Sequence, residues 1–374
     1  MPVDEPTHAA TEVDEVPVER VEHVDQDPFE AEGEPSAARR VLSALSAGNI
    51  SAIYVFVLLV VIFSIWVPDT FLTTETFKSL LDQQALPALV ALALVVPLAA
   101  GVFDLSIGAA VGLGAILIAW LIQIKGVALV PALAISVVGA GLVGAVNGVL
   151  VTRMKIDSFI ATLGTASIIA AMTFWISDQQ ILGLPSNLES IAATKLFGFT
   201  LPVYYVLVVT IVMWYVLERT PVGRRVYATG GNVDAARLSG VSTRTVVFVS
   251  FVICSTLAGI VGVLITARLG TGDPTVGPPY LLPAFTAAFL GATQFRGGRF
   301  NVWGTVLAVY VLAVGVKGLQ LGGAPIWIPD LFNGTALILA VALAQYQRGA
   351  TGSSHVNRLI ARFKRQPDPE PTEV

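Results

Sequence analysis

Long apolar runs without a single charge alternate with short polar segments along most of the chain. They fall at residues 41–68, 85–103, 105–122, 126–152, 158–177, 196–217, 245–267, 274–295, 300–316 and 331–347. Each is close to the roughly 20 residues that an α-helix needs to cross about 30 Å of hydrocarbon. The pattern predicts an all-α integral membrane protein of about ten transmembrane helices.

Composition agrees with that pattern. The 374 residues are 55% hydrophobic and 13% charged with mean hydropathy +0.76, whereas soluble domains are about 25% charged. The net charge of −4 hides an uneven distribution. Residues 1–40 hold twelve acids, from Asp4 to Glu34, against Arg20, Arg39 and Arg40, and read as a disordered acidic tail. The membrane domain follows at 41–347, and 348–374 form a second tail. The first apolar run begins near Val41 behind an acidic stretch, so it reads as a retained anchor and not as a cleaved secretory signal. Cys254 is the sole cysteine, and His8, His23 and His355 all lie in the tails, which leaves no Cys or His metal cluster within the spans.

Charge placement predicts orientation. With the N-terminus cytoplasmic, the inner loops hold Arg153, Lys155, Arg219, Arg224, Arg225, Arg237, Arg244, Arg296 and Arg299, and the outer side holds Lys78, Lys125, Lys195, Arg268 and Lys317. Nine basic residues against five place the arginine-rich loop 219–245 and both termini in the cytoplasm. The outer segment 178–200 has turn signals and apolar pieces that could rest on the membrane face.

Loop 219–245 cannot lie in hydrocarbon, because an arginine at the bilayer centre costs roughly 2.5–3.5 kcal/mol even on insertion scales. Within it, Asn232 is a good N-cap, Asp234 sits in the first turn, Arg237 near the end, and Gly240 is a natural stop. A helix of about two turns is predicted, too short to persist alone in water, so it needs a surface: the bundle itself or a soluble partner. The chain contains no Gly-Lys dipeptide, hence no Walker A phosphate loop.

Residues 85–122 as one helix would be about 57 Å long, too long for one crossing, so the chain must turn near Gly101. Asp104 follows that turn. It either caps the next helix by accepting from the N–H of Ser106 or Ile107, or lines a pathway. The spacings Gly108/Gly112 and Gly144/Gly148 suit close helix packing, and Asn147 beside the second pair is an interhelical hydrogen bonder or a pathway group. Asp157 or Ser158 caps the helix that follows Lys155, and Ser158, Thr162 and Thr165 form a weakly polar stripe on it. Such hydroxyls usually bond their own helix carbonyls.

The blocks FDLSIG (103–108), DSFIATLG (157–164), GRRVYATGGNVDAARLSGV (223–241) and LGATQFRGGRFNVWGTVLA (290–308), in this order, resemble the monosaccharide (ribose/xylose) branch of ABC-transporter permeases. The resemblance implies a bacterial cytoplasmic-membrane subunit that does not itself hydrolyse ATP. It implies a permease homodimer or heterodimer, two ATP-binding subunits carrying ATP and Mg, and an extracytoplasmic solute-binding protein that delivers the sugar. Gly231, Asn232, Asp234, Ala235, Ala236, Arg237, Leu238, Ser239 and Gly240 would form the coupling helix that docks on the ATPase. Phe103, Asp104, Ser106, Asn147, Ser158, Phe159 and Thr162 are the candidate translocation pathway. No cofactor, metal or nucleic acid is expected on this chain.

Three other readings fit the residues less well. An ion-coupled carrier normally carries charges within its spans, and only Asp104 qualifies. An intramembrane enzyme lacks membrane histidines and has one cysteine of small-hydrophobe character. A branched-chain amino-acid permease is separated only by the resemblance of the Asp-Leu-Ser and Ala-Ala-Arg-Leu-Ser-Gly blocks.

Overall fold

A computed structural model describes residues 51–294 and 298–344. The two tails, their histidines and Arg296 lie outside those residues. The described chain is almost entirely helical: α1 (Ser51–Trp66), α2 (Pro68–Phe71), α3 (Thr74–Ala99), α4 (Ile107–Ala119), α5 (Leu129–Thr152), α6 (Ser158–Ile176), α7 (Ser186–Ala193), α8 (Leu201–Arg219), α9 (Pro221–Gly231), α10 (Val233–Leu238), α11 (Thr243–Leu269), α12 (Leu281–Ala292), α13 (Val302–Leu321) and α14 (Ile328–Ala344). A π-turn, Trp120–Ile124, extends α4.

Among the described residues seven helices are long and apolar enough to cross a bilayer: α3, α4 with its π-turn, α5, α6, α8, α11 and α13. The described residues of the remaining three apolar runs form shorter helices. The described parts of α1 and α14 fall below spanning length. Run 274–295 yields only the 12-residue α12, about 18 Å long, because Pro278 and Pro279 hold its first part in a 3-10 turn at Pro278–Tyr280. Segment 178–200 holds α7, which buries Leu188 and Ala192, and a hairpin pairing β1 (Lys195–Leu196) with β2 (Phe199–Thr200).

Helix α11 is the axle of the bundle, packed against α3, α4 and α5. Small residues permit this closeness. A side chain at Gly144 would strike the carbonyl of Phe251, and one at Gly148 the ring of Phe248. A Cβ on Gly114 would lie 2.6 Å from the Gly259 carbonyl. Helices in lipid gain no hydrophobic drive from meeting one another, so backbone proximity and dispersion must hold them. Ahead of α12, Gly277 packs on Gly108 and Gly112 in the same way, since a Cβ on Gly277 would strike the Gly108 carbonyl and the Gly112 nitrogen.

Candidate functional site

The turn near Gly101 is a complete C-cap. Gly101 takes φ +84°, its N–H donates to Leu98, and the N–H of Val102 donates to Pro97. Both bonds satisfy carbonyls at the end of α3 that would otherwise be orphaned, and the positive φ is one that glycine adopts without a Cβ clash.

The next residues leave helical geometry, and their N–H groups need partners. Helix α6 supplies them. Phe103 N–H donates to Ser158 Oγ (3.2 Å), and Leu105 N–H donates to Thr162 Oγ1 (3.0 Å). Thr162 also donates back to its own helix at Ser158 O (2.7 Å), as mid-helix hydroxyls do. The Ser158/Thr162 stripe is thus the strip on which the broken segment is laid. Ser158 and Thr162 stand at this level because Asp157 caps α6, accepting from the N–H groups of Phe159 and Ile160.

Asp104 accepts from both N–H and Oγ of Ser106 through Oδ1 (3.0 and 2.6 Å). Its other oxygen meets no N–H or O–H donor among the described residues, and the Cys254 thiol, a weak donor, faces it. Asn147 Nδ2 donates to Ser106 Oγ, and Asn147 Oδ1 accepts from Thr165 Oγ1, each at 2.7 Å. Asp104, Ser106, Asn147 and Thr162 have no exposed surface. Asp104 thus closes the turn onto Ser106, the N-cap residue of α4, which makes no side-chain cap of its own, and Asn147 ties α5 to that turn and to α6. Of the seven pathway candidates only Phe103 and Phe159, 40% and 50% exposed, present substantial surface.

Phe103 continues into an aromatic run that the sequence did not reveal. Its ring stacks on Phe289 (6.4 Å between centroids), which in turn meets Phe285 and, edge to face, Phe300 at 5.2 Å. Phe285 and Phe289 are one helical turn apart on α12, a spacing that becomes meaningful only once α12 is known to face the turn.

The arginine-rich loop is not irregular. Thr220-Pro221 starts an unforeseen 11-residue helix, α9, with proline at its first position, where its missing N–H costs nothing. Asn232 then caps α10 by accepting from Ala235 N–H (2.9 Å). Gly240 ends it at φ +82°, with Gly240 and Val241 N–H donating to Arg237 and Ala236. Arg237 pairs with Asp234 at 2.7 Å on the surface. Gly231, Asn232, Asp234, Ala235, Arg237, Leu238, Ser239 and Gly240 are exposed, Leu238 at 89%, while Ala236 is turned inward.

Helix α9 is fastened at two points. Gly230 lies against Ala99 and Gly101, and a Cβ on Gly101 would come within 3.1 Å of Gly230 Cα. At Tyr227 the ring carries the Arg299 guanidinium 3.4 Å above its centroid, and the hydroxyl donates to Phe300 O (2.9 Å). The short helix α10 therefore sits on an arm that touches both the Asp104 turn and the strand of chain leading into α13.

Residues 77–341 match the family model described as branched-chain amino acid transport system / permease component. The chain is similar to the D-allose transport system permease protein of Escherichia coli K12, 30% identical over 291 residues that cover 78% of this chain and 89% of the relative. It is similar to the ribose import permease protein of Bacillus subtilis 168, 32% identical over 289 residues, covering 76% and 89%. The fructose import permease protein of Rhizobium meliloti is 30% identical over 306 residues, covering 79% and 84%. No solved structure matches.

Proposed function

Because the chain belongs to the family of ABC-transporter permease components, we propose that it is the multi-pass membrane subunit of an ATP-driven importer for a monosaccharide. The sugar class comes from the relatives, which are named for D-allose, ribose and fructose. In this reading two permeases, identical or paired with a second type, sit in a bacterial cytoplasmic membrane with about ten helices each and both termini inside. A solute-binding protein delivers the sugar outside, and two ATPase subunits bind ATP and Mg inside. This chain contributes no hydrolytic chemistry.

One observation carries the mechanism: a capped two-turn helix with an 89%-exposed leucine projects on an arm that packs on the turn after α3. A helix that short and that apolar at its tip is stable in water only against something else. An ATPase surface supplies that partner, and ATP drives transport only insofar as the ATPase binds one arrangement of the bundle better than the other. Residues 231–240 are where that preference enters the permease. Phe103 and Phe159 are the pathway candidates that remain open to a substrate, while Asp104, Ser106, Asn147, Ser158 and Thr162 position the segment that bears Phe103.

The family model's description keeps a branched-chain amino-acid substrate as the second reading. Reconstitution with the ATPase and binding protein, followed by uptake of labelled ribose, allose, fructose and leucine, separates the two. ATP-dependent uptake of a sugar and not of leucine is expected. Leucine uptake alone, or uptake abolished by a proton uncoupler at constant ATP, would sink the proposal.

A further inference from the structure

Two cavities meet at the start of α11. One is a groove of about 560 Å³ between α8 and α11, walled by Met213, Val216, Val249, Ile253 and Leu257, with Arg225 of α9 at one end. The other, of about 530 Å³, carries Lys155, Arg237 and Arg244 together with the hydroxyls of Thr152 and Ser242. Thr245 borders both. An apolar groove and a cationic recess thus adjoin at Thr245.

The groove has the dimensions of one leaflet. From Thr245 to Leu257 α11 rises about 18 Å, against about 15 Å for half of a hydrocarbon core. Its polar end is suited to an anion. Arg225, Arg244 and Lys155 pair with no described acidic side chain, and only Arg237 is neutralised, by Asp234. Ser242 makes no side-chain cap, and the N–H groups of Arg244 and Thr245 meet no backbone carbonyl, so the positive end of the 27-residue α11 opens into the recess.

We infer that this composite site binds an anionic phospholipid of the leaflet that borders the arginine-rich loop, an acyl chain in the α8–α11 groove and the phosphodiester at Arg225, Arg244 and Lys155. Basic pockets between helices on the cytoplasmic side recognise anionic headgroups in this way, and lipid there would sit directly beneath the arm that carries α10. The choice of leaflet rests on the orientation in the proposed function. The binding itself does not, and is measured without transport.

The full chain, purified in mild detergent, is titrated with phosphatidylglycerol, phosphatidylcholine or glycerol 1-phosphate and read by native mass spectrometry. Preferential retention of phosphatidylglycerol, uncompeted by an equal concentration of glycerol 1-phosphate, is expected. The surface variant Arg225→Gln/Arg244→Gln should lose about tenfold or more of the preference over phosphatidylcholine, with unchanged thermal stability. Val249→Trp, which fills the groove, should lower retention of both lipids. Equal retention of the two lipids, an unchanged preference in the double glutamine variant, or competition by glycerol 1-phosphate alone would overturn the inference. So would crosslinking of Val249→Cys to a second permease copy or to the ATPase, which would assign the groove to a protein. Failure of sugar uptake in a separate reconstitution leaves each of these outcomes readable.

Discussion

Asn147 donates its side-chain N–H to the Ser106 hydroxyl at 2.7 Å, joining α5 to the turn between α3 and α4. The same amide accepts from Thr165 of α6, so one side chain bridges three segments. All three partners are buried, where an unmade hydrogen bond is costly because no water replaces it.

Replacing Asn147 with Ala should leave Ser106 and Thr165 short of a partner and destabilise the purified chain by about 1–3 kcal/mol. Thermal melting in detergent measures this. A melting temperature equal to that of the wild type would show that the bridge contributes nothing.

Asp104→Asn preserves the acceptor that faces Ser106 and removes the charge. Uptake should persist within a few fold, since the carboxylate is enclosed and turned onto Ser106. Asp104→Leu removes the acceptor as well and should cost about 1–3 kcal/mol, the range for buried donors left without a partner. If Asp104→Asn abolished uptake while the chain stayed folded, the residue would act through its charge and the contact with Ser106 would be insufficient.

Two glycines of similar appearance in the sequence should respond oppositely. Gly144→Ala drives a methyl into the Phe251 carbonyl and should destabilise by about 1–3 kcal/mol, the cost of overpacking. Gly164 has open space where its Cβ would stand, and Gly164→Ala should change stability by less than about 1 kcal/mol, in the favourable direction. Parallel melts of the two variants decide it, and equal losses would contradict the packing described here.

Leu238→Ser changes an 89%-exposed side chain in the isolated subunit and should leave its melting within about 0.5 kcal/mol of wild type. In the assembled transporter it should reduce uptake per ATP hydrolysed. Arg237→Glu places like charges on Asp234 and residue 237 and should act in the same direction. Ala236→Trp is a poor probe of docking, because Ala236 is buried and the indole would disrupt the arm itself. Full coupling in both surface variants would remove α10 from the transmission path.

Much of this was legible beforehand for local reasons. The N-cap at Asn232, the glycine stops at 101 and 240, the Asp104–Ser106 contact and the Gly144/Gly148 packing each depend on a few neighbouring residues whose chemistry admits few outcomes. The helix α9 was hidden because its five charged or turn-forming neighbours look like loop, and Pro221, read correctly, was the available signal. The Phe103–Phe289 stack and the Tyr227–Arg299 pairing join residues far apart in the chain, and no local pattern announces such meetings. The short helix of run 274–295 was not legible because an uncharged run measures only solubility in lipid, whereas a continuous helix also needs an unbroken backbone ladder, which Pro278 and Pro279 deny to the residues before α12.

The contact of Gly230 with Ala99 and Gly101 has a mechanical meaning. Side chains normally cushion a helix contact, since a rotamer change can absorb an ångström of movement before the backbone feels it. Where glycine meets glycine there is no side-chain rotamer to take up a displacement, and the two backbones bear on each other directly. The arm that carries α10 thus abuts the end of α3 backbone to backbone, two residues before Phe103.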